Sequence, residues 1–392
     1  MKNKKIAIIS LVMLINALSY GIMIPLVYPY AKHFGMNPTM VGMLFASFSI
    51  AQFIATPIMG RLSDKYGRKP LLLLCVFGTS LSLALFALAQ SIPMLFIARI
   101  LDGITGGNNS VAQAIVADSS EGKERAKAFG FLGAAFGVGF LFGPAIGGLL
   151  GSYNITYPFW FASALAMFAV ILGAIFLEET LPEKKRQSKN KPFFKLSNFS
   201  QALRHPLVGG ILLVSLLSST GHNSMIVGFQ TIAFDTLGMT TGQYGLLFTG
   251  FGIISVFIQM VGIGFLLKVL KNPVVILQYA LTLSALTTTL LFVQHSFWVF
   301  VAGSFLYAAS LTPQGVMITS LISQRTDGED QGAMLGINQS IISLGQIFGP
   351  ILASAIIITG SSNIFIASTL LFGYGAYIAF HQAKKSHLKV SV

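Results

Sequence analysis

Apolar residues form long uninterrupted runs along the chain, and short polar connectors separate them. A transmembrane helix needs about 20 consecutive apolar residues, and the sequence contains twelve runs of about that length. The runs lack the two-residue alternation of a barrel strand, so they predict helices. We number them span 1 to span 12, with the approximate ranges 6–30, 39–59, 71–90, 93–117, 127–150, 157–177, 207–232, 242–265, 274–293, 297–321, 332–357 and 363–381.

The composition of the 392 residues also indicates a membrane protein. Hydrophobic residues make up 54% and charged residues 9%, with a mean hydropathy of +0.75, whereas soluble globular proteins carry about 25% charged residues. This excludes a soluble globular protein. The single cysteine, Cys75, excludes a disulfide scaffold and a zinc site built on cysteines.

The basic residues follow the connectors. The net charge is +13, and every Lys and Arg except Lys32 and Arg99 lies in alternate connectors or at the termini. The positive-inside rule therefore predicts that both termini and the connector between spans 6 and 7 are cytoplasmic. No basic face with interleaved aromatic residues is present, so the charge does not indicate nucleic-acid binding. The short connectors suggest the cytoplasmic (inner) membrane of a bacterium.

The densest run of charge divides the chain into two halves. It lies in the connector at 178–206, with six spans on each side, at 1–177 and 207–392. The halves are related, because the G-x-x-x-G-P motif at 139–144 recurs at 345–350. Two parallel repeats of six spans are typical of secondary transporters. The sequence therefore predicts an all-α polytopic membrane protein of twelve transmembrane helices in two pseudo-symmetric six-helix bundles.

Four motifs resemble a known family. The connector between spans 2 and 3 reads G-R-L-S-D-K-Y-G-R-K at 60–69, similar to the G-x-L-a-D-r-x-G-r-k signature of the major facilitator superfamily. The stretch at 95–103 in span 4 resembles the second motif of that family, and the stretch at 139–148 in span 5 resembles its antiporter motif. Pro25-x-x-x-Pro29 is similar to a fourth motif, seen in twelve-span drug exporters. The resemblance covers the whole chain and is strongest to bacterial tetracycline and multidrug efflux antiporters.

The resemblance implies two groups of conformational residues. The first motif is expected to form a tight-turning cytoplasmic loop whose charges brace the outward-open state; a plain topology anchor is the alternative. The antiporter motif is expected to seal span 5 against leak; a generic small-residue packing surface is the alternative. The first group comprises Gly60, Asp64, Gly67, Arg68 and Asp118, and the second comprises Gly139, Gly143, Pro144, Gly147 and Gly148.

Arg99 and Asp102 are the candidate proton-coupling residues. Arg99 is the only basic residue well inside a span, and Asp102 lies three residues later on the same helical face. Charge in the membrane interior is costly and usually functional. Asp102 would carry the proton if its pairing with Arg99 changes during transport. A permanent ion pair that only offsets its own desolvation is the alternative.

Polar residues within other spans provide further candidates. His222, in the middle of span 7, titrates near physiological pH and is either a proton or substrate group or a packing residue. Intramembrane amides usually face a bundle interior or a cavity. The expected lining of a substrate cavity comprises Asn16, Gln52, Asn109, Gln113, Phe136, Asn223, Gln230, Gln314, Asn338 and Gln339.

The predicted function is proton-coupled export of amphipathic organic compounds by rocker-switch alternating access. The sequence contains no G-x-x-x-x-G-K-[ST] motif, no metal-ligand cluster and no catalytic triad arrangement, so neither ATP hydrolysis nor enzymatic activity is expected. No cofactor is expected, and the proton gradient would supply the energy. The expected partners are a small amphipathic substrate, protons and membrane lipid, with the chain acting as a monomer. Transport of one metabolite, siderophore or lipid on the same fold is the alternative.

Overall fold

The computed structural model describes residues 2–120, 122–181, 202–206, 208–293, 296–326 and 331–390. Helices account for nearly all of these residues, and the described part of the chain contains no strand. An all-helical fold is the expected result in lipid, because a helix satisfies its backbone hydrogen bonds within one segment. The predicted all-α class is confirmed. Most of the connector at 178–206 lies outside the described residues.

Spans 1 to 6 form the first set of helices. Several begin with proline in the first turn, where its missing N–H is not needed. Span 1 is divided by a 3-10 turn at Ile24–Leu26 that contains Pro25. The helices are Lys2–Met23 and Val27–His33 in span 1, Pro38–Tyr66 in span 2, Arg68–Ala87 in span 3, Ile92–Thr105 and Asn108–Ser119 in span 4, Gly122–Tyr153 in span 5 and Tyr157–Phe176 in span 6.

Spans 7 to 12 form the second set. Span 7 ends in a π-helical turn at Ile232–Thr236, and span 8 contains another at Ile258–Gly262. The helices are Gly209–Thr231 in span 7, Thr241–Phe257 and Ile263–Leu270 in span 8, Pro273–Val293 in span 9, Phe297–Gln324 in span 10, Gln331–Ile356 in span 11 and Asn363–Val390 in span 12.

Span 4 differs from its prediction as one continuous helix. Eleven helices among the described residues are long and apolar enough to cross a membrane, and they correspond to the other eleven spans. Span 4 is interrupted at Gly106 and Gly107, so its two helices have only 14 and 12 residues. Two consecutive glycines favour such a break, because each costs about 1 kcal/mol relative to Ala inside a helix. Cys75 of span 3 is fully buried and lies close to Gly107.

Span 2 extends further than predicted. Its helix continues to Tyr66, so Gly60 and Asp64 are helical and do not belong to a loop. Only Gly67 lies between this helix and the next, which begins at Arg68, and its φ of 110° favours glycine. The tight turn that the motif predicts is therefore a single residue.

The chain divides into two compact units. One contains residues 1–37, 47–193 and 239–249, and the other contains residues 38–46, 194–238 and 250–392. These bounds differ from the predicted division at the linker, because the start of span 2 is grouped with the second half and the start of span 8 with the first half.

Each unit repeats one packing scheme. In the first unit, span 1 packs against spans 5 and 6, and span 3 packs against spans 4 and 6. In the second unit, span 7 packs against spans 11 and 12, and span 9 packs against spans 10 and 12. The core of the first unit is built from Ile, Val, Leu and Met side chains of spans 1, 3, 4, 5 and 6. The same pairs of spans thus meet in both halves, as a parallel repeat requires.

Candidate functional site

Arg99 and Asp102 form an ion pair inside the first unit. The helix Ile92–Thr105 places them one turn apart, and Arg99 Nη1 lies 3.2 Å from Asp102 Oδ2. The side chains are 1% and 5% exposed. A buried pair of this kind is costly to create but strongly destabilising to break on one side only. The two predicted coupling residues are therefore in direct contact.

Three side chains from spans 1 and 2 hold the guanidinium of Arg99. The Phe48 ring lies beneath it, with 4.2 Å between the guanidinium carbon and the ring centroid. Arg99 Nη1 also donates to the Met23 sulfur at 3.7 Å, and the Tyr20 hydroxyl is hydrogen-bonded to Arg99. A cation over an aromatic face gains up to about 2 kcal/mol when desolvated. Arg99 thus has attractive partners that do not depend on the charge of Asp102.

The sequence predicts the ion pair but misses its surroundings. Neither Tyr20 nor Met23 stands out in an apolar span, although their three-residue spacing places both on one helical face. On the other side, Thr79 of span 3 is hydrogen-bonded to Asp102. A hydroxyl group at mid-span was the available signal for Thr79, because polar groups there need a partner.

The break in span 4 lies one turn beyond Asp102. Gln52 of span 2 donates through Nε2 to the Gly106 carbonyl at 3.2 Å, which satisfies a backbone group left without a helical partner. Asn109 and Gln113 begin the second helix of the span; both are exposed, and Gln113 Nε2 donates to Asn109 Oδ1 at 3.1 Å. The side chains of Asn109 and Gln113 are thus exposed, as the lining of a cavity requires. Gln52 instead stabilises the break in span 4.

His222 in the second unit is bound to a tyrosine. Its Nδ1 lies 3.2 Å from the Tyr307 hydroxyl of span 10, and the two rings are stacked with 6.2 Å between centroids. Tyr307 is fully buried, and Phe229, Phe251 and Phe372 surround it at centroid distances of 5.8, 6.2 and 6.0 Å. His222 itself is only half-buried. The sequence did not predict Tyr307, because a tyrosine in an apolar span carries no distinctive spacing.

Gln314 and Asn223 are engaged in helix packing. Gln314 Oε1 accepts from Ser218 Oγ at 2.5 Å, and its Nε2 donates to Ser284 Oγ at 2.7 Å and to the Ser310 carbonyl at 3.1 Å. Gln314 is 1% exposed, so its amide ties spans 7, 9 and 10 together. Asn223 Nδ2 donates to the Ser219 carbonyl of its own helix at 2.8 Å. This geometry favours a structural role for Gln314.

The remaining predicted lining residues differ in exposure. Asn16 and Asn338 are each 5% exposed, and among the described residues neither amide oxygen has a hydrogen-bond partner. Gln230 is fully buried. Gln339 is exposed, and Phe136 is half-buried against the core of the first unit.

The first motif forms a charge cluster in the first unit. Arg68 Nη1 is paired with Asp64 Oδ1 at 2.6 Å, and its Nε donates to Asp118 Oδ2 at 3.0 Å. Arg68 Nη1 also donates to Ser63 Oγ at 2.7 Å, and that hydroxyl donates to the Gly60 carbonyl. The three charged residues that the resemblance implies are therefore in contact, and they join spans 2, 3 and 4.

Glu179 is an additional member of this region. Its carboxylate accepts from the backbone N–H groups of Arg68 and Lys69, at 3.0 and 3.3 Å. These groups begin the helix of span 3, where a negative charge interacts favourably with the helix dipole. Beside it, Lys5 is paired with Glu178 at 2.8 Å. The sequence marked Glu178 and Glu179 only as part of the charged linker, because their partners lie more than 100 residues away.

The antiporter motif packs directly against the backbone of span 1. A Cβ atom added at Gly143 would lie 2.7 Å from the Gly21 Cα, and one at Gly139 would lie 2.6 Å from the Ala17 Cβ. A Cβ at Gly147 would collide with the Ile22 carbonyl. In contrast, Cβ atoms at Gly133 and Gly137 would meet nothing within 4 Å. Span 5 is therefore packed closely against span 1 from Gly139 to Gly147, whereas the preceding glycines, Gly133 and Gly137, have open space beside them.

The repeated motif makes the same contacts in the second unit. A Cβ added at Gly345 or Gly349 of span 11 would collide with Ser219 or Asn223 of span 7. Span 11 also contacts the start of span 2, where Ser354 Oγ donates to the Thr39 carbonyl at 3.0 Å. The sequence repeat thus corresponds to a repeated helix contact.

A groove of about 610 Å³ lies in the second unit, on the cytoplasmic half of span 10 in the predicted topology. It is open to the exterior of the unit. Its lining is mostly apolar and consists of Gly315, Val316, Thr319, Ser320, Ser323 and Leu335. The sequence missed these residues, because isolated Ser and Thr side chains in a span usually bond to their own helix. Within the described residues, no group of His, Cys, Asp and Glu side chains is arranged to hold a metal ion.

Comparison with known proteins agrees with the motifs and the fold. The sequence profile of the Major Facilitator Superfamily matches residues 9–234 and 211–389. Multidrug resistance protein 1 of Bacillus subtilis (strain 168) is 28% identical over 391 residues, covering 100% of this chain and 99% of the relative. Tetracycline resistance protein, class H, of Pasteurella multocida is 30% identical over 364 residues, covering 89% and 88%.

The solved structures include similar folds. The crystal structure of the nucleoside transporter NupG matches with a TM-score of 0.77 at 13% identity, covering 97% of this chain and 98% of that chain. The predicted fold is therefore confirmed, and the protein is a multi-pass membrane transporter and not an enzyme. Because the family profile spans nearly the whole sequence, the chain belongs to the Major Facilitator Superfamily.

Proposed function

We propose that this chain is a proton-coupled antiporter that exports amphipathic organic compounds by rocker-switch alternating access. The resistance proteins among its relatives support drug efflux. The alternation of basic connectors supports an orientation with both termini in the cytoplasm, and the bacterial relatives support the cytoplasmic membrane of a bacterium. The chain acts as a monomer, requires no cofactor and uses the proton gradient as its energy source.

The observation that carries proton coupling is the buried Arg99–Asp102 pair. A carboxylate in the membrane interior can accept a proton when its counter-charge moves or weakens. Arg99 also interacts with Phe48, Met23 and Tyr20, so it keeps favourable contacts after Asp102 becomes neutral. Asp102 can thus exchange a proton without leaving the guanidinium unsupported. His222, joined to Tyr307, is the second candidate for this exchange.

The other motifs control the conformational cycle. The cluster of Asp64, Arg68 and Asp118 braces the cytoplasmic side of the first unit in the outward-open state. The glycines of span 5 hold spans 1 and 5 in backbone contact, which leaves no space for water along that seam. In each cycle a proton enters from outside and binds Asp102, and the substrate leaves from the cytoplasm or inner leaflet.

Proteoliposomes that contain purified protein provide the test. An imposed pH gradient should drive uptake of drugs such as a tetracycline or a quinolone, and a protonophore should abolish it. Asp102→Asn should remove most substrate-induced proton release from the solubilised protein. Undiminished proton release in this variant would refute the assignment of Asp102.

The switch cluster needs a separate measurement. Asp64→Asn should slow turnover more than it weakens substrate binding, because the ion pairs of the cluster join spans 2, 3 and 4. Unchanged turnover would reduce the cluster to a topology anchor. If the gradient drives none of the drugs, a screen of metabolites, siderophores and lipids would test the alternative of one specific substrate.

A further inference from the structure

The helix of span 3 begins without a capping side chain of its own. Gly67 is the single residue between the helices of spans 2 and 3, and its φ of 110° favours glycine. A capping residue normally accepts the first free N–H groups of a helix through a side-chain oxygen, which glycine lacks. The tight turn therefore leaves the N–H groups of Arg68 and Lys69 in need of another acceptor.

Glu179, just after span 6, supplies this acceptor. Its Oε1 accepts from the Arg68 N–H at 3.0 Å, and its Oε2 accepts from the Lys69 N–H at 3.3 Å. The third residue of the helix, Pro70, has no N–H group. One half-buried carboxylate thus satisfies both N–H donors in the first three residues of the helix, and its negative charge lies at the positive end of the helix dipole.

The end of span 6 receives a contact in return. Lys69 Nζ donates to the Ala174 carbonyl at 2.7 Å, in the last turn of the span 6 helix, where carbonyl groups lack helical partners. The Glu179 Oε1 also accepts from the N–H groups of Thr180 and Leu181, at 2.8 and 2.9 Å. The chain that leaves span 6 is therefore fixed to the start of span 3.

Arg68 is consequently held at both ends. Glu179 binds its backbone N–H, while its guanidinium pairs with Asp64 and with Asp118. The direction of a side chain follows from the conformation of its backbone. A carboxylate that fixes the Arg68 backbone therefore also directs the guanidinium towards these two acids.

We propose that Glu179 is a positioning residue of the transport cycle, which holds Arg68 in the charge cluster with Asp64 and Asp118 and connects that cluster to the start of the connector at 178–206. This inference rests on the proposed function, in which the cluster controls the conformational cycle. It differs from a local helix cap in its consequence. A local cap affects only the stability of span 3, whereas a positioning residue acts through Arg68 and so depends on Asp118.

Glu179→Gln and the matched variant Glu178→Gln provide the test. Glutamine keeps the size of Glu179 but replaces one oxygen with an NH2 group, which then faces a backbone donor. The initial rate of tetracycline uptake into proteoliposomes, driven by an imposed pH gradient, gives kcat and KM. Glu179→Gln should lower kcat about fivefold, equivalent to about 1 kcal/mol of activation free energy, with KM within about twofold of the wild-type value. Glu178→Gln removes an exposed carboxylate that pairs with Lys5, and it should retain the wild-type kcat.

A double-mutant cycle with Asp118→Asn identifies the path of the effect. If Glu179 acts through Arg68, the double variant should be no slower than the slower of the two single variants. Single losses of kcat that multiply in the double variant would overturn the inference. Equal kcat in Glu179→Gln and Glu178→Gln, or a change confined to KM, would overturn it as well. Monodisperse elution of each variant excludes misfolding.

Hydrogen exchange of the purified full chain tests the same inference without transport. In Glu179→Gln the amides at the start of span 3 should lose protection, and so should those at the end of span 4, where Asp118 binds the guanidinium. Unchanged protection, or a loss confined to span 3, would overturn the inference. Absence of tetracycline uptake by the wild-type chain would contradict export of that compound, and the exchange measurement would then decide the role of Glu179 by itself.

Discussion

Removal of one partner of the Arg99–Asp102 pair should destabilise the first unit by an amount that depends on which partner is removed. Arg99→Met leaves the Asp102 carboxylate with Thr79 as its hydrogen-bond partner, at a cost of about 3–5 kcal/mol. Asp102→Asn leaves a buried guanidinium, but the Phe48 ring at 4.2 Å offsets up to about 2 kcal/mol of that cost. The expected loss for Asp102→Asn is therefore roughly 1–3 kcal/mol.

The double variant Arg99→Met/Asp102→Asn separates stability from coupling. It contains no unpaired charge, so its free energy of unfolding should return to within about 1 kcal/mol of the wild type. A double-mutant cycle on these four proteins measures the interaction free energy of the pair. The unfolding measurement uses denaturant titration in mixed micelles, followed by the loss of helical circular dichroism.

The same four proteins are then compared for substrate-induced proton release. The double variant should be stable but uncoupled, because it has neither a proton acceptor nor a counter-charge. If the double variant loses the sum of the two single losses, the pair is not an energetic unit and the reasoning fails. If Asp102→Asn is more destabilising than Arg99→Met, the contribution of Phe48 is refuted.

Three further perturbations test other contacts. Gly143→Val should cost about 1–3 kcal/mol through overpacking against span 1, whereas Gly137→Val, at a position with open space, should have little effect on thermal unfolding in detergent; similar losses would contradict the packing asymmetry of span 5. Glu179→Gln should lower the free energy of unfolding by about 0.3–1 kcal/mol, because it removes a negative charge at the start of a helix, and this loss should be smaller at high salt. A loss that does not depend on salt would exclude the dipole interaction. Tyr307→Phe should remove the hydrogen-bond partner of the His222 Nδ1, so the ring resonances of His222 should differ between the variant and the wild type in NMR spectra. Identical resonances would contradict the contact between His222 and the Tyr307 hydroxyl.

The sequence predicts the helical architecture well because the membrane imposes it. Long apolar runs must become helices in lipid, and the basic connectors determine the predicted orientation. Even so, the prediction was wrong at two places. It gave span 4 as one continuous helix, and it ended span 2 near residue 59, whereas the helix continues to Tyr66. Both depend on local backbone preferences, namely the Gly106–Gly107 pair and the single-residue turn at Gly67, which an average over 20 residues does not detect.

The candidate site is predicted only where charge marks it. Arg99 and Asp102 stand out because charge is rare in an apolar span, and the structure places them in contact. Tyr20 and Tyr307 do not stand out, because a tyrosine in a span is common and its partner lies far away in the sequence. Distant pairing of this kind depends on which helices are neighbours, which a single sequence does not state.

The burial of Cys75 makes this chain well suited to site-directed labelling. It is the only thiol in 392 residues, and it is fully enclosed between span 3 and the break in span 4. A maleimide or a nitroxide reagent should therefore leave the wild-type protein unmodified. Cysteines introduced in pairs, one in each unit, would report distances by electron resonance or fluorescence transfer without prior removal of a native residue. The transport cycle of this protein can thus be followed on its natural background.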